Sequence, residues 1–240
     1  MDRRNEIKDA LNADEFDDAE QYEQTNQEQL YGVPEMLLSE FVLAKQPFTL
    51  EIGPGSTPVI TGGWYLEPSE SRAAALMKKV EPTAVHVGYV ENMPLSSGAF
   101  DAVVMVNGFF QVQSLYEAIL EINRVLKLNG RFAFNIHTGD EVNIIVGQVF
   151  GYRNLVRTLK QFGFEPLCVW EGAVNLEHRT EGEERQAFIV VEKVRDATAG
   201  DLNQPQLVPI PYVEGMSVES ELNWYKGINV NLGGRESYLA

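Results

Sequence analysis

From Phe48 to Lys193 short apolar runs alternate with amphipathic stretches, and that alternation constrains the fold more than any other feature of the sequence. Thr49–Ile52 reads as a buried strand stopped by Gly53-Pro54-Gly55. Trp64–Leu66, Ala84–Val87, Ala102–Val106 and Arg131–Ile136 read as four more strands. Helical spacing appears in Ser69–Lys79, where Ala73, Leu76 and Met77 share a face, again from about Ser114 to Leu126, and in Asn154–Phe162. Pro166–Trp170 and Ala187–Glu192 form a final strand pair. Buried strands separated by helices predict an α/β fold with a parallel sheet covered on both faces.

The flanks have a different texture. Residues 1–33 are acidic and Gln/Asn-rich with few apolar side chains, the composition of a solvated arm. Pro34 opens a helical pattern (Met36, Leu37, Phe41, Val42) expected to lie across the edge of the domain that spans 34–194. Residues 195–240 carry Pro205, Pro209 and Pro211 and isolated aromatics without periodicity, so they read as an extended tail that orders only by docking on something.

Charge narrows the partners. With 35 acidic against 19 basic residues the net charge is −16, and no Lys/Arg cluster stands out, so a nucleic-acid backbone is not an expected ligand. No apolar run is long enough to cross a bilayer, and Met1–Glu6 does not open a secretory signal. The single cysteine, Cys168, lies in an apolar run and suits a reducing compartment, hence a cytoplasmic expectation. No metal-ligand pattern is expected.

Chemistry concentrates where the first two strands end. Glycines at Gly53 and Gly55 let the backbone approach a ligand with no Cβ in the way, and Glu51 sits at the same strand end, able to accept from an ammonium group or to orient the loop. A tight turn with no ligand would look the same. The second strand runs into Leu66-Glu67-Pro68-Ser69 and a helix. A carboxylate there can accept from two vicinal ribose hydroxyls, or simply sit favourably at a helix N-terminus. Glycine turn and strand-end Glu in register point to a nucleoside ligand. The third glycine of a dinucleotide fingerprint is replaced by Pro58, and no Gly-Lys-Ser/Thr is present, which disfavours nicotinamide cofactors and nucleoside triphosphates.

Four ordered segments carry a family resemblance: Leu50-Glu51-Ile52-Gly53-Pro54-Gly55, Tyr65-Leu66-Glu67-Pro68-Ser69-Glu70, Glu91 to Asp101, and Glu121 to Arg131. Together they resemble the class I S-adenosylmethionine-dependent methyltransferases, in particular the type 11 group, and the resemblance extends over roughly 35–194. It implies a Rossmann-like sheet, mostly parallel with an antiparallel closing hairpin and helices on both faces, and S-adenosylmethionine as cofactor. Glu51, Gly53 and Gly55 would surround its methionine portion, Glu67 would hold the ribose, and Tyr89, Val90 and Glu91 would flank the adenine. Asn107 with Gly108 would face the sulfonium and the acceptor. Asp101 and Arg124-Val125-Leu126 are expected to be scaffold.

Three departures stand against that pattern. Thr57 replaces the third glycine of the turn, and Tyr89 stands where an aspartate commonly receives the adenine amine. The third is the stretch from Gly55 to Trp64, too short to hold the usual crossover helix between parallel strands.

Methyl transfer asks mainly that the acceptor be held in line, with a general base only where the acceptor must lose a proton. Of three histidines, His137 after the fifth strand is best placed for that role, its ordinary pKa of about 6.5 being suitable; a loop histidine with no role is the plainer reading. His86 is expected to be a satisfied strand residue, and His178 to be solvated. Asn107-Gly108-Phe109-Phe110 lacks the prolines of DNA amino-methyltransferases. Phe109, Phe110 and Tyr116 are pocket candidates or plain packing, and Val142–Phe150 falls where relatives insert substrate-binding elements. Two functions remain open: a methyltransferase acting on a small molecule or exposed group, or a non-catalytic protein of this fold that engages protein neighbours through its arm and tail.

Overall fold

A computed structural model describes residues 48–106, 108–109, 112–138, 143–145, 148–150, 152–173 and 185–203. The acidic arm, the helical pattern after Pro34 and nearly all of the tail lie outside the described residues, as do Asn107, Phe110 and His178.

In chain order the elements are β1 (Thr49–Ile52), β2 (Trp64–Glu67), α1 (Glu70–Leu76), β3 (Val85–Val87), β4 (Phe100–Met105), α2 (Leu115–Val125) and β5 (Leu126–Thr138). They continue with β6 (Asn143–Ile145), β7 (Gln148–Phe150), α3 (Tyr152–Gln161), β8 (Phe164–Ala173) and β9 (Arg185–Lys193). Seven strands form one sheet in the order β3-β2-β1-β4-β5-β9-β8, and β6 pairs with β7 as a separate two-stranded ribbon. Neighbours from β3 through to β5 are parallel, while β9 runs antiparallel to both β5 and β8. The mostly parallel sheet with an antiparallel closing pair is therefore present.

Side chains alternate between the two faces because successive residues of a strand point opposite ways. Leu50, Ile52, Leu66, Val103, Met105, Phe132 and Phe134 pack on one face against α2 and α3. Tyr65, Ala102, Val104, Ala133, Phe188 and Val190 form the other, with Ala73 and Leu76 of α1 and the loop residue Ile60. Cys168 is buried in this second face, which pushes its thiol up to about 12 and fits a packing role.

No helix lies between β1 and β2; residues 53–63 are all described and form turns and bends. Ile60, 1% exposed, fills part of the space over the sheet that a helix would cover. Helix α1 begins where the sequence suggests, with Ser69 as its N-cap accepting from the Arg72 amide. Strand β5 is longer than its apolar core predicts. It starts at Leu126 directly after α2 and passes Asn129 at φ 63, a left-handed conformation that asparagine tolerates, before pairing with Ala102 from Arg131 onward.

The chain after β9 folds back on the domain. Lys193, 2% exposed, donates to the carbonyls of Asn123 and Leu126 and reaches Asp196. The Asn123 amide holds the carbonyls of Phe162 and Arg195 and accepts from the Ala197 amide. The first residues of the tail are thus tied to the ends of α2 and α3.

Candidate functional site

The chain leaves β1 towards β2 and β3 on one side, then returns through β4 on the other side of β1. Strand order reverses at β1, and in open α/β sheets ligands bind in the crevice beyond the carboxyl ends of the strands at such a point. Gly53 and Gly55 lie there with φ of 68° and 62°, the left-handed region, and a Cβ added to either would meet nothing within 4 Å. The Gly53 amide donates to the Leu66 carbonyl (2.8 Å), which fixes the turn against the end of β2.

Two buried carboxylates brace the turn and the loop that follows it. Glu67, at the tip of β2, accepts from the Gly55 amide (2.9 Å) on one oxygen and the Ser69 amide (3.0 Å) on the other. Burial pushes its carboxyl above the ordinary range, against the opposing pull of those two amides and of Arg72. With one amide on each oxygen, each oxygen can still accept a further hydrogen bond. Glu51 accepts from the Val59 amide (2.9 and 3.0 Å to its two oxygens) and from the Ile60 amide (3.1 Å). Burial pushes Glu51 up to about 7; the Val59 and Ile60 amides oppose that rise and the charge of Glu67 adds to it. Tyr65, beside Glu51 in the sheet, donates its hydroxyl to the Ile60 carbonyl (3.0 Å) and accepts from the Gly63 amide (3.4 Å). Two side chains thus satisfy the backbone of a connection too short for a helix.

The expected adenine loop follows β3. Tyr89 is half-buried with its phenol pushed up, first by burial and then by Glu91 and Glu70. Val90 and Met93 pack into the core face that holds α2. Glu91 directs one carboxylate oxygen to the amides of Gln113 (2.6 Å) and Ser114 (3.2 Å), immediately ahead of α2. The scaffold role expected of Arg124 has a clear geometry. Its guanidinium donates to the carbonyls of Leu95 (2.7 Å) and Met93 (3.1 Å) and to Glu121, which in turn accepts from the Met93 amide. Burial raises the Glu121 carboxyl, but Arg124 and the Met93 amide outweigh it and hold the group low. Asp101 accepts from the Phe48 amide and pairs with Lys127.

Past β4, Gly108 and Phe109 are described. Phe109 is 2% exposed and packs on Phe132 and Phe134, so it belongs to the core and not to an acceptor pocket. Tyr116 stacks on Phe162. His137 lies near the end of β5, opposite Gln186 of β9; its side chain is outside the described residues. His86 is not the satisfied strand residue expected: its ring stacks on Trp64 at 5.6 Å, and its Nε2 is buried without a hydrogen bond. Among the described residues no group of three or more His, Cys, Asp or Glu is placed to hold a metal ion, and no helix is long and apolar enough to cross a membrane. The braces made by Tyr65 and Glu91 were not legible in the sequence, because strand register and loop packing set their partners.

A family model described as a methyltransferase domain matches residues 64–134, from β2 into β5. A SAM-dependent methyltransferase from Thermotoga maritima, described as a possible histamine N-methyltransferase, superposes with a TM-score of 0.56 at 22% identity, covering 72% of this chain and 95% of that one. The fold is that of the class I S-adenosylmethionine-dependent methyltransferases. The same methyltransferase fold is shared with the complex between the Haloferax volcanii Trm112 methyltransferase activator and the putative methyltransferase (TM-score 0.58, 14% identity, 76% of this chain and 97% of that one). It is shared too with geranyl diphosphate C-methyltransferase from Streptomyces coelicolor, solved with S-adenosyl-L-homocysteine (TM-score 0.52, 13% identity, 67% and 79%). No curated protein matches the sequence.

Proposed function

We propose that the protein is an S-adenosylmethionine-dependent methyltransferase acting on a small molecule or an exposed group. One observation carries this reading: two left-handed glycines with open space beyond them stand at the end of β1, directly beside a carboxylate at the tip of β2. The residues present fit the cofactor. Gly53 and Gly55 leave room for its amino-acid portion, and Glu67 keeps lone pairs for the ribose hydroxyls. Val90 and Tyr89 stand on the loop that would flank the adenine; Asn107, outside the described residues, would face the acceptor if the family pattern holds.

When bound, S-adenosylmethionine supplies an already activated methyl electrophile. The chain then has to bind, to orient the acceptor and to exclude water. The braces from Glu51 and Tyr65 hold the loop after the glycine turn without a crossover helix, so the ligand would meet the turn's backbone and not a helix N-terminus. His137 is the candidate base for an acceptor that must lose a proton.

A non-catalytic role in an assembly, with contacts through the arm and tail, is the second reading. The engagement of Glu51 and Glu67 by loop amides favours it, because a retained ligand site is not needed to explain why those carboxylates are there. Crystals grown with S-adenosylhomocysteine separate the two. Density with the ribose at Glu67 and the amino-acid end at Gly53 is expected; an empty crevice at saturating ligand overturns the enzyme reading.

A further inference from the structure

The connection between β3 and β4 is lashed along helix α2 at both ends. At the helix start, the Glu91 carboxylate takes the amides of Gln113 (2.6 Å) and Ser114 (3.2 Å), residues 22 and 23 positions away in the chain. Ser114 is the N-cap of α2, yet its own side chain makes no capping bond. Glu91 therefore supplies from another loop the acceptor that a helix start needs, and its negative charge lies at the favourable end of the helix dipole. Further along the helix, Glu121 takes the Met93 amide (2.8 Å), and Arg124 donates to the carbonyls of Met93 and Leu95. Val90 and Met93 are buried beneath these bonds at 7% and 4% exposure.

The two segments joined at Glu91 have different roles in the cofactor reading, on which this inference rests. Residues 89–91 flank the adenine, whereas the segment leaving β4 faces the acceptor and leads through Gln113 into α2. We propose that Glu91 is a positioning residue: through its bonds to Gln113 and Ser114 it makes the segment before α2 follow the adenine loop, so that cofactor binding orders the acceptor side. Its side chain acts on the protein's own backbone, and its touching the cofactor is not required.

Amide hydrogen exchange at Gln113 and Ser114 tests this in the full chain, with and without saturating S-adenosylhomocysteine. In the free protein Glu91→Ala should speed exchange at both amides by about tenfold, the loss of one charge-assisted bond each. Glu91→Gln, which keeps an accepting oxygen, should restore most of the protection and guards against a variant that is merely misfolded. With ligand the wild type and Glu91→Gln should gain protection at these two amides, and Glu91→Ala should bind without transmitting it. Unchanged exchange in free Glu91→Ala overturns the clamp. Equal ligand-induced protection in Glu91→Ala and wild type overturns the coupling. If the folded wild type binds no S-adenosylhomocysteine, the cofactor reading fails and the coupling with it, while the result in the free protein still decides the clamp.

Discussion

The Glu51 carboxylate lies 2.9 Å from the Val59 amide, across a connection of turns that stands where the fold usually has a helix. An acidic residue at the end of β1 is here a brace for the loop that carries the glycine turn. Together with the Ile60 amide on Glu51 and the Tyr65 hydroxyl on the Ile60 carbonyl, that contact keeps the shortened crossover in shape.

Stability should fall as pH rises through the neutral range. Glu51 is raised from 4.5 to about 7 in the folded protein, so below the lower value both states are protonated and its favourable contribution is complete. Between the two values the folded state binds more protons than the unfolded one, and the contribution is lost as pH climbs to about 7. The effect is at most on the order of 3 kcal/mol. Urea midpoints measured across this window should decline with pH, and Glu51→Gln should flatten the decline.

Gly53→Ala and Gly63→Ala should separate ligand room from packing. At Gly53 the added Cβ meets only open space, so strain of the left-handed backbone costs about 1 kcal/mol. At Gly63 it would press on the Thr49 carbonyl oxygen at 3.0 Å and on buried Ile60, and stability should fall further. Calorimetry should show the reverse order for S-adenosylhomocysteine affinity, with Gly53→Ala the more damaging.

Lys193→Ala should destabilise by about 2–4 kcal/mol, because two buried carbonyls lose their donor. Asp196, 87% exposed, is left in water and adds little. Equilibrium unfolding in urea measures this directly.

Much of the sheet was legible. The extent of β1 and the closing strand pair follow from apolar runs between breakers, a local signal that the sheet does not override. The missing first helix follows from chain length alone. What escaped is long-range. The early start of β5 depends on Asn129 turning left-handed and on pairing with β4. The β6–β7 ribbon reads in sequence as one apolar stretch broken at Gly147, and its antiparallel pairing is not visible there. Phe109, open in sequence between pocket and packing, is core, and nothing in the run Asn107–Phe110 says which ring turns towards Phe132 and Phe134. At the site, the positions of the glycines and Glu67 were readable, whereas the partners of Glu51 and Glu91 were not. Those partners are backbone amides, which every residue has.

Gly53, Gly55 and Glu67 are proposed to form an S-adenosylmethionine site. Titration calorimetry of S-adenosylhomocysteine into the wild type and Glu67→Ala tests it most directly. Saturable one-to-one binding to the wild type is expected, weakened at least about tenfold in Glu67→Ala by loss of the hydrogen bonds to the ribose. No binding to the folded wild type, or equal affinity in the two proteins, would contradict it.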